Sequence, residues 1–292
     1  MLGCLAIPLV WGLGQVLPVR DDVVPLEDAR VVERILGAAD PEVVVAVYLP
    51  GGNGRSVRLA RDGERWTVNG HLADSASVGR FWQELSELRV VEVVERAWEG
   101  HARLGVDRAA ALAVVFERAG AADTLLMGRS GPAGKGFYAR LPGHDVVYRI
   151  EPDLRAAILR PPEAWRSRRF VGIDTTQVAF LQVEQEGGGY TLVRSDAGWS
   201  YGEEFVGATF STLLLEALAS VEASGFPEEP DAGQDRAPER SLVVQNARSD
   251  VLVTLEFWRS GKDWVVRRGD DATEYTVPAA LVDRLTPVLP SP

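Results

Sequence analysis

The chain has 292 residues, with 31 Lys and Arg against 42 Asp and Glu and a formal charge of −11. That length suits two ordinary domains, and the acidic balance excludes a nucleic-acid binder working through a basic surface. With 46% apolar and 25% charged residues the chain is compositionally globular, neither collagen-like nor wholly disordered. Its single cysteine, Cys4, leaves no internal disulfide and no thiolate zinc pair.

Leu2 to Val19 carry no charge, and as a helix they would run ~27 Å, just short of a ~30 Å hydrocarbon core. Residues 1–19 are therefore read as an apolar N-terminal helix that anchors the chain to a membrane, with residues 20–292 outside the cytoplasm. Pro8 and Pro18 interrupt the segment and no Lys or Arg precedes it. The other reading is an apolar helix packed on the following domain. Leu2-Gly3-Cys4 matches the end of a lipoprotein signal, but lipidation at Cys4 would need an apolar stretch upstream of it.

Beyond residue 20 one programme runs twice. Val43 to Tyr48 and Val178 to Val183 read as strands, each followed by glycines, Gly51-Gly52-Asn53-Gly54 and Gly187-Gly188-Gly189. Such runs between period-two segments predict hairpins. Ser56 to Ala60 and Tyr190 to Arg194 follow, and then a strand bearing a tryptophan, Trp66 in one copy and Trp199 in the other. The period next lengthens to about 3.6, which predicts helices. Val78, Phe81, Trp82, Leu85 and Leu88 share a face in the first, capped by Ser75 or Ser77. Phe210, Leu213, Leu214, Leu218 and Val221 do so in the second, which starts at Thr209 or Ser211. Ala111 to Phe116 with Thr124 to Met127 is matched by Leu242 to Gln245 with Val251 to Leu255. Phe137 to Arg140 is matched by Trp264 to Arg267, and each copy closes on a tyrosine strand, Val147 to Ile150 or Glu274 to Val277, running into a short helix.

Short glycine-rich connections imply antiparallel neighbours. The expected class is α+β, two tandem similar units, each a mainly antiparallel sheet packed against one or two helices, behind the N-terminal apolar helix. The first unit spans 20–164, a joint 165–172, and the second unit 173–292, with a mobile insertion at 225–240.

Motifs for chemistry are sparse. Gly128 to Gly136 contains Gly134-Lys135-Gly136, but no Ser or Thr follows the lysine and a strand follows where a phosphate loop needs a helix, so a hairpin is expected. His71, His101 and His144 lack metal-ligand spacing and sit among turn residues, which reads as exposed loop histidine. No nucleophile elbow occurs, and no two acids are marked as a glycosidase pair. Glu228, Glu229 and Asp231 lack a calcium-loop rhythm. The expectation is no catalytic residue, no cofactor site and no metal site. Trp66, Trp82, Trp199 and Trp264 are read as core or inter-unit packing. Trp98, Trp165 and Trp258, with Arg168 and Arg169 at the joint, are the candidate contact residues, since tryptophan and arginine are enriched at binding hot spots.

Leu104-Gly105-Val106-Asp107, Leu126-Met127-Gly128-Arg129, Phe137-Tyr138-Ala139-Arg140, Val147-Tyr148-Arg149-Ile150 and Arg166-Ser167-Arg168-Arg169-Phe170 give the chain, over about residues 20 to 290, a resemblance to the bacterial domain of unknown function 4340 family. That resemblance implies a membrane segment followed by an extracytoplasmic portion, and for some members an auxiliary role beside ABC transporters of the gliding-motility type. It supplies no catalytic residues. The reading is a non-enzymatic, membrane-tethered interaction protein of the cell envelope with a transporter-type partner and no nucleic acid. The alternatives are a carboxylate-based hydrolase, which needs two acids converging in a cleft, and a small-ligand binder, which needs one apolar pocket.

Overall fold

The computed structural model describes residue 37, residues 40–227 and residues 236–289. The expected helix over 1–19, its anchoring role and Cys4 lie outside these residues, as does the middle of the 225–240 insertion. Among the described residues no helix is long and apolar enough to cross a membrane.

The chain divides into two compact units, Met1–Arg166 and Ser167–Pro292. The stretch expected as a joint is absorbed by both. Trp165 is buried in the first core, and Phe170 and Val171 are buried in the second.

Unit 1 begins with a meander, β1 (Val44–Leu49), β2 (Val57–Asp62), β3 (Arg65–Val68) and β4 (His71–Leu72). Helix α1 (Ser75–Ser86) follows, then β5 (Arg89–Glu95), α2 (His101–Leu104), β6 (Leu112–Arg118), β7 (Ala121–Ser130), β8 (Phe137–Arg140), β9 (Val147–Glu151) and α3 (Arg155–Ile158). Among the described residues the sheet order is β4-β3-β2-β1-β6-β7-β8-β9-β5, antiparallel throughout. Alternation along β1, β2, β6 and β7 points Val47, Leu59, Phe116 and Met127 to one face. There they meet Val78, Phe81 and Leu85 of α1 in a single apolar core. The cap of α1 is Asp74, not Ser75 or Ser77: its carboxylate accepts the Ser77 N–H at 2.7 Å. A full negative charge at the positive end of the helix outcompetes a hydroxyl there.

Unit 2 opens with β10 (Arg169–Val171) and then repeats the path: β11 (Val178–Gln185), β12 (Tyr190–Ser195), β13 (Gly198–Tyr201), β14 (Glu204–Phe205), α4 (Ala208–Ala219), β15 (Val221–Glu222), β16 (Arg240–Asn246), β17 (Val251–Ser260), β18 (Asp263–Arg268), β19 (Asp271–Val277) and α5 (Ala279–Leu285). Its main sheet runs β14-β13-β12-β11-β16-β17-β18-β19, the same order as unit 1, while β10 pairs with β15. The bulge between Val44 and Ala46 recurs between Val178 and Phe180. The bridge of Gly225 to Thr276 repeats the pairing of Glu92 with Arg149. Both described ends of the 225–240 insertion are tied to strands, the second by the Glu239 N–H donating to the Phe257 carbonyl at 2.9 Å.

Two details of the second helix differ from expectation. It starts at Ala208, one residue before Thr209, behind Gly207, and Leu213, expected on its buried face, is 51% exposed. The buried stripe is Leu214, Ala217 and Leu218, the i, i+3, i+4 set, and Leu213 lies about 100° round from Leu214. Val221 has already left the helix for β15.

The reverse faces of the sheets are where the copies diverge. Strands β7 and β17 are both ten residues long and share Thr-Leu at 124–125 and 254–255 and Arg-Ser at 129–130 and 259–260. Gly128 thus stands where unit 2 has Trp258. In unit 1 the connection from β5 to β6 folds over this position, with Leu104 and Val106 packed on Val147. A Cβ on Gly128 would lie 2.3 Å from the Leu104 carbonyl oxygen and 2.6 Å from Val106 Cγ1. Arg140 fastens this strap, its Nε donating to the Val106 carbonyl at 2.7 Å. In unit 2 the space is filled by the Trp258 indole. Its Nε1 donates to the Arg236 carbonyl at 3.1 Å, and the Arg267 guanidinium stacks on its ring at 5.0 Å.

Candidate interaction surface

The five residues read as contacts have different fates. Trp165 is completely buried, edge-on to Phe81 at 5.4 Å and stacked on by Arg160 at 4.6 Å. Trp258 is buried on the reverse face of unit 2, as described above. Neither is an exposed contact, because the indole is the largest apolar group available and each fills a space its own unit must close. Arg168 and Arg169 do face solvent, their backbone held by β15 through the Ala223 N–H donating to the Arg168 carbonyl at 2.8 Å. Trp98 is 67% exposed. Within unit 1, then, Trp98 and Trp165 share no surface, and within unit 2 Trp258 lies inside while Arg168 and Arg169 lie outside.

Trp98 is presented by a turn that the sequence builds locally. Strand β5 ends at Glu95, whose carboxylate turns back to accept the N–H groups of Arg96 at 2.9 Å and Ala97 at 3.2 Å. The Gly100 N–H donates to the Ala97 carbonyl at 3.3 Å, closing a single 3-10 turn over Trp98–Gly100 that leads into α2. Arg103 reaches the same carboxylate at 3.4 Å. The backbone donors of Arg96 and Ala97, helped by the Arg103 charge, hold Glu95 below the usual carboxylate range against an opposing desolvation effect. A Cβ on Gly100 would meet the Glu95 carboxylate at 2.4 Å, so any larger residue would displace that side chain from the turn. Glu95 escaped the sequence reading. Its signal was an acid one and two residues ahead of free N–H groups at the end of a strand, the pattern of a local side-chain turn.

Beside this turn, Arg149 on β9 donates to Glu92 at 2.6 Å and also to Glu151, while Arg89 reaches Glu151 at 3.2 Å. The hydrogen bond to Glu92 is the largest cause raising the Arg149 pKa. Strand β5 ends the sheet, but its pairing with β9 shifts register twice, between Val90 and Glu92 and between Val93 and Glu95. Bulges and charges of this kind blunt an edge against strand addition.

The histidines divide. His144 is exposed and His71 sits half-buried on β4. His101, expected in an exposed loop, is instead buried at the start of α2, its Nε2 2.7 Å from the Asp145 carbonyl oxygen. The turn pulls it inward because α2 lies against the sheet. The Gly131–Gly136 segment is a hairpin between β7 and β8, closed by the Gly131 N–H donating to the Gly136 carbonyl at 2.9 Å. Two open hollows mark the surface of unit 1. One, of about 430 Å³, is spanned by Glu163 and Arg55 in a two-pronged pair at 2.6 and 2.7 Å. The other, of about 370 Å³, holds Glu117, which accepts the Tyr48 hydroxyl at 2.9 Å. Each therefore contains one carboxylate, already engaged. Among the described residues no group of three or more His, Cys, Asp or Glu is placed to hold a metal ion.

A family model matches residues 62–240, from the end of β2 in unit 1 to the start of β16 in unit 2. No curated protein and no solved structure matches the chain. With more than half of its length covered, and with the strap at Gly105-Val106, the β8 segment and the Tyr148 strand inside the match, the chain belongs to the family described as Domain of unknown function (DUF4340).

Proposed function

We propose that this protein is a non-enzymatic, extracytoplasmic interaction protein, tethered to the membrane through residues 1–19, that binds a transporter-type envelope partner through the Trp98 corner. The observation that carries the binding reading is the rigid presentation of an indole that is 67% exposed. Scattered apolar side chains at a surface need no explanation. Trp98 differs because its turn is fixed in advance by Glu95 and Gly100, so binding loses little conformational entropy and a hot-spot residue is ready to be buried. The tether and the class of partner are supported by the family resemblance and by the uncharged run from Leu2 to Val19. A repeated fold whose copies differ mainly in surface and loops suits a scaffold that offers distinct faces.

Affinity capture from detergent-solubilised envelope membranes with the full chain tests this. Wild type is expected to retain a membrane protein that Trp98→Ala loses by about thirtyfold, the equivalent of a ~2 kcal/mol hot spot, with unchanged thermal melting. Equal capture by both proteins, or no envelope protein retained, would overturn the proposal.

A further inference from the structure

Two of the chain's three asparagines precede glycine, Asn53 in the loop between β1 and β2 and Asn69 in the turn between β3 and β4. The two sites are alike in backbone and exposure. Asn53 and Asn69 have φ of 57° and 49°, and Gly54 and Gly70 of 71° and 88°, the pair of positive values that a type I′ turn requires. Both asparagines are exposed, and nothing lies within 4 Å of the Cβ position of either glycine. Their carboxamides differ. Asn69 is held at both ends, its Oδ1 accepting the Arg58 N–H at 2.7 Å and its Nδ2 donating to the Ser56 carbonyl at 3.1 Å. Its own N–H donates to the Arg58 carbonyl at 2.9 Å. The Asn53 carboxamide has no hydrogen bond among the described residues, so it is free to turn toward its own main chain.

We infer that Asn53 is a site of spontaneous deamidation and backbone isomerisation, and that the start of β2 protects Asn69 from the same reaction. The Gly54 nitrogen, which no side chain shields, attacks Asn53 Cγ. The new N–C bond forms as the Cγ–Nδ2 bond breaks, and the Gly54 N–H proton leaves with that nitrogen as ammonia. Water then opens the cyclic imide at either carbonyl, giving aspartate or, with an extra methylene in the main chain, isoaspartate. Water is the only co-reactant, and no oxidant or reductant takes part. Asn69 must first release its carboxamide, and two hydrogen bonds of ordinary net strength slow it by about thirtyfold relative to Asn53.

The loop has no slack for the product. The Gly51 N–H donates to the Ile158 carbonyl at 3.1 Å and the Gly52 N–H to the Arg160 carbonyl at 3.3 Å, while the Arg55 N–H donates back to the Gly52 carbonyl at 3.1 Å and closes the turn. Arg55 then grips Glu163 with both prongs of its guanidinium. A methylene inserted at residue 53 lengthens the chain inside that closure, and either product sets a carboxylate two residues from Arg55, in competition with Glu163. Conversion therefore loosens the tie between the β1–β2 hairpin and residues 158–163. This site belongs to unit 1 and does not depend on Trp98.

The test ages the full chain in mildly alkaline buffer and follows both asparagines by peptide mapping with mass spectrometry, isoaspartate being counted by enzymatic carboxyl methylation. A parallel sample unfolded in guanidinium chloride supplies the intrinsic rates. Unfolded, the two asparagines are expected to react alike. In the native chain Asn53 is expected to convert, mostly to isoaspartate, and Asn69 to do so about thirtyfold more slowly. The aged protein should show faster amide exchange over residues 51–55 and 158–163. Asn53→Asp, which carries the charge without the added methylene, should show a smaller change there, and Asn53→Gln should not age at this loop. The inference fails if native Asn53 stays intact while the unfolded sample is consumed, or if both asparagines convert equally fast in the native chain. It also fails if the aged protein exchanges like fresh protein over those two segments.

Discussion

Gly128→Ala probes a position where one copy carries glycine and the other tryptophan. Gly128 sits in β7 with ordinary strand geometry, so the added methyl meets no backbone penalty. On chain entropy alone the substitution would stabilise by about 0.4–1 kcal/mol. The obstacle is the strap: the new Cβ would lie 2.3 Å from the Leu104 carbonyl oxygen and 2.6 Å from Val106 Cγ1. Backbone must retreat by roughly 1 Å to reach ordinary contact, and overpacking of this kind costs about 1–3 kcal/mol. The expected net loss therefore lies between about 0 and 2.6 kcal/mol, the overpacking cost less the entropic gain, so the exchange readout is the more decisive. Retreat also stretches the Arg140 hydrogen bond to the Val106 carbonyl. The damage should appear in urea unfolding and, more specifically, as faster amide exchange over residues 100–111. Gly79→Ala on α1 is the control, because nothing lies within 4 Å of its Cβ and removal of a mid-helix glycine should stabilise by about 1 kcal/mol. If Gly128→Ala proved as stable as wild type, with unchanged exchange in the strap, the close approach of strap to strand would be refuted.

Asp74→Ala removes the carboxylate that caps α1 and should cost about 1 kcal/mol in urea unfolding, whereas Ser75→Ala should cost little, since Ser75 is already inside the helix. Acid should weaken the turn that holds Trp98. The folded pKa of Glu95 lies below its ordinary 4.5 because the Arg96 and Ala97 N–H groups favour the charged form, so its contribution is present above pH 4.5 and is lost as pH falls through the lower folded value. Unfolding of wild type and Glu95→Gln at pH 7, 5 and 3 should show a stability gap that closes at the lowest pH, and a constant gap would count against that account. Asp174, held low chiefly by the Thr176 hydroxyl and N–H, acts in the same direction and is common to both proteins.

Much of the architecture was legible in linear pattern. Period two with glycine breaks, then period 3.6, located the large strands and both long helices, because each depends on nearest neighbours and on a face to bury. The family followed from local strings such as Phe137 to Arg140. Strands β4, β14 and β15 went unread, being two residues each and defined by pairing, not pattern. So did β5, whose Val90-Val91-Glu92-Val93-Val94 has no clean alternation because two bulges break its register.

Residue types and their order by themselves determined the class, the repetition and the acidic surface, since these arise from hydropathy period, turn chemistry and composition. Which tryptophan faces water was decided only by tertiary structure. Trp98, Trp165 and Trp258 look alike in sequence, yet α1 closes over Trp165, the Arg236 segment and Arg267 close over Trp258, and Glu95 turns Trp98 outward. Burial is a property of what the rest of the chain brings to a position, and that sum is made only when the sheet is assembled.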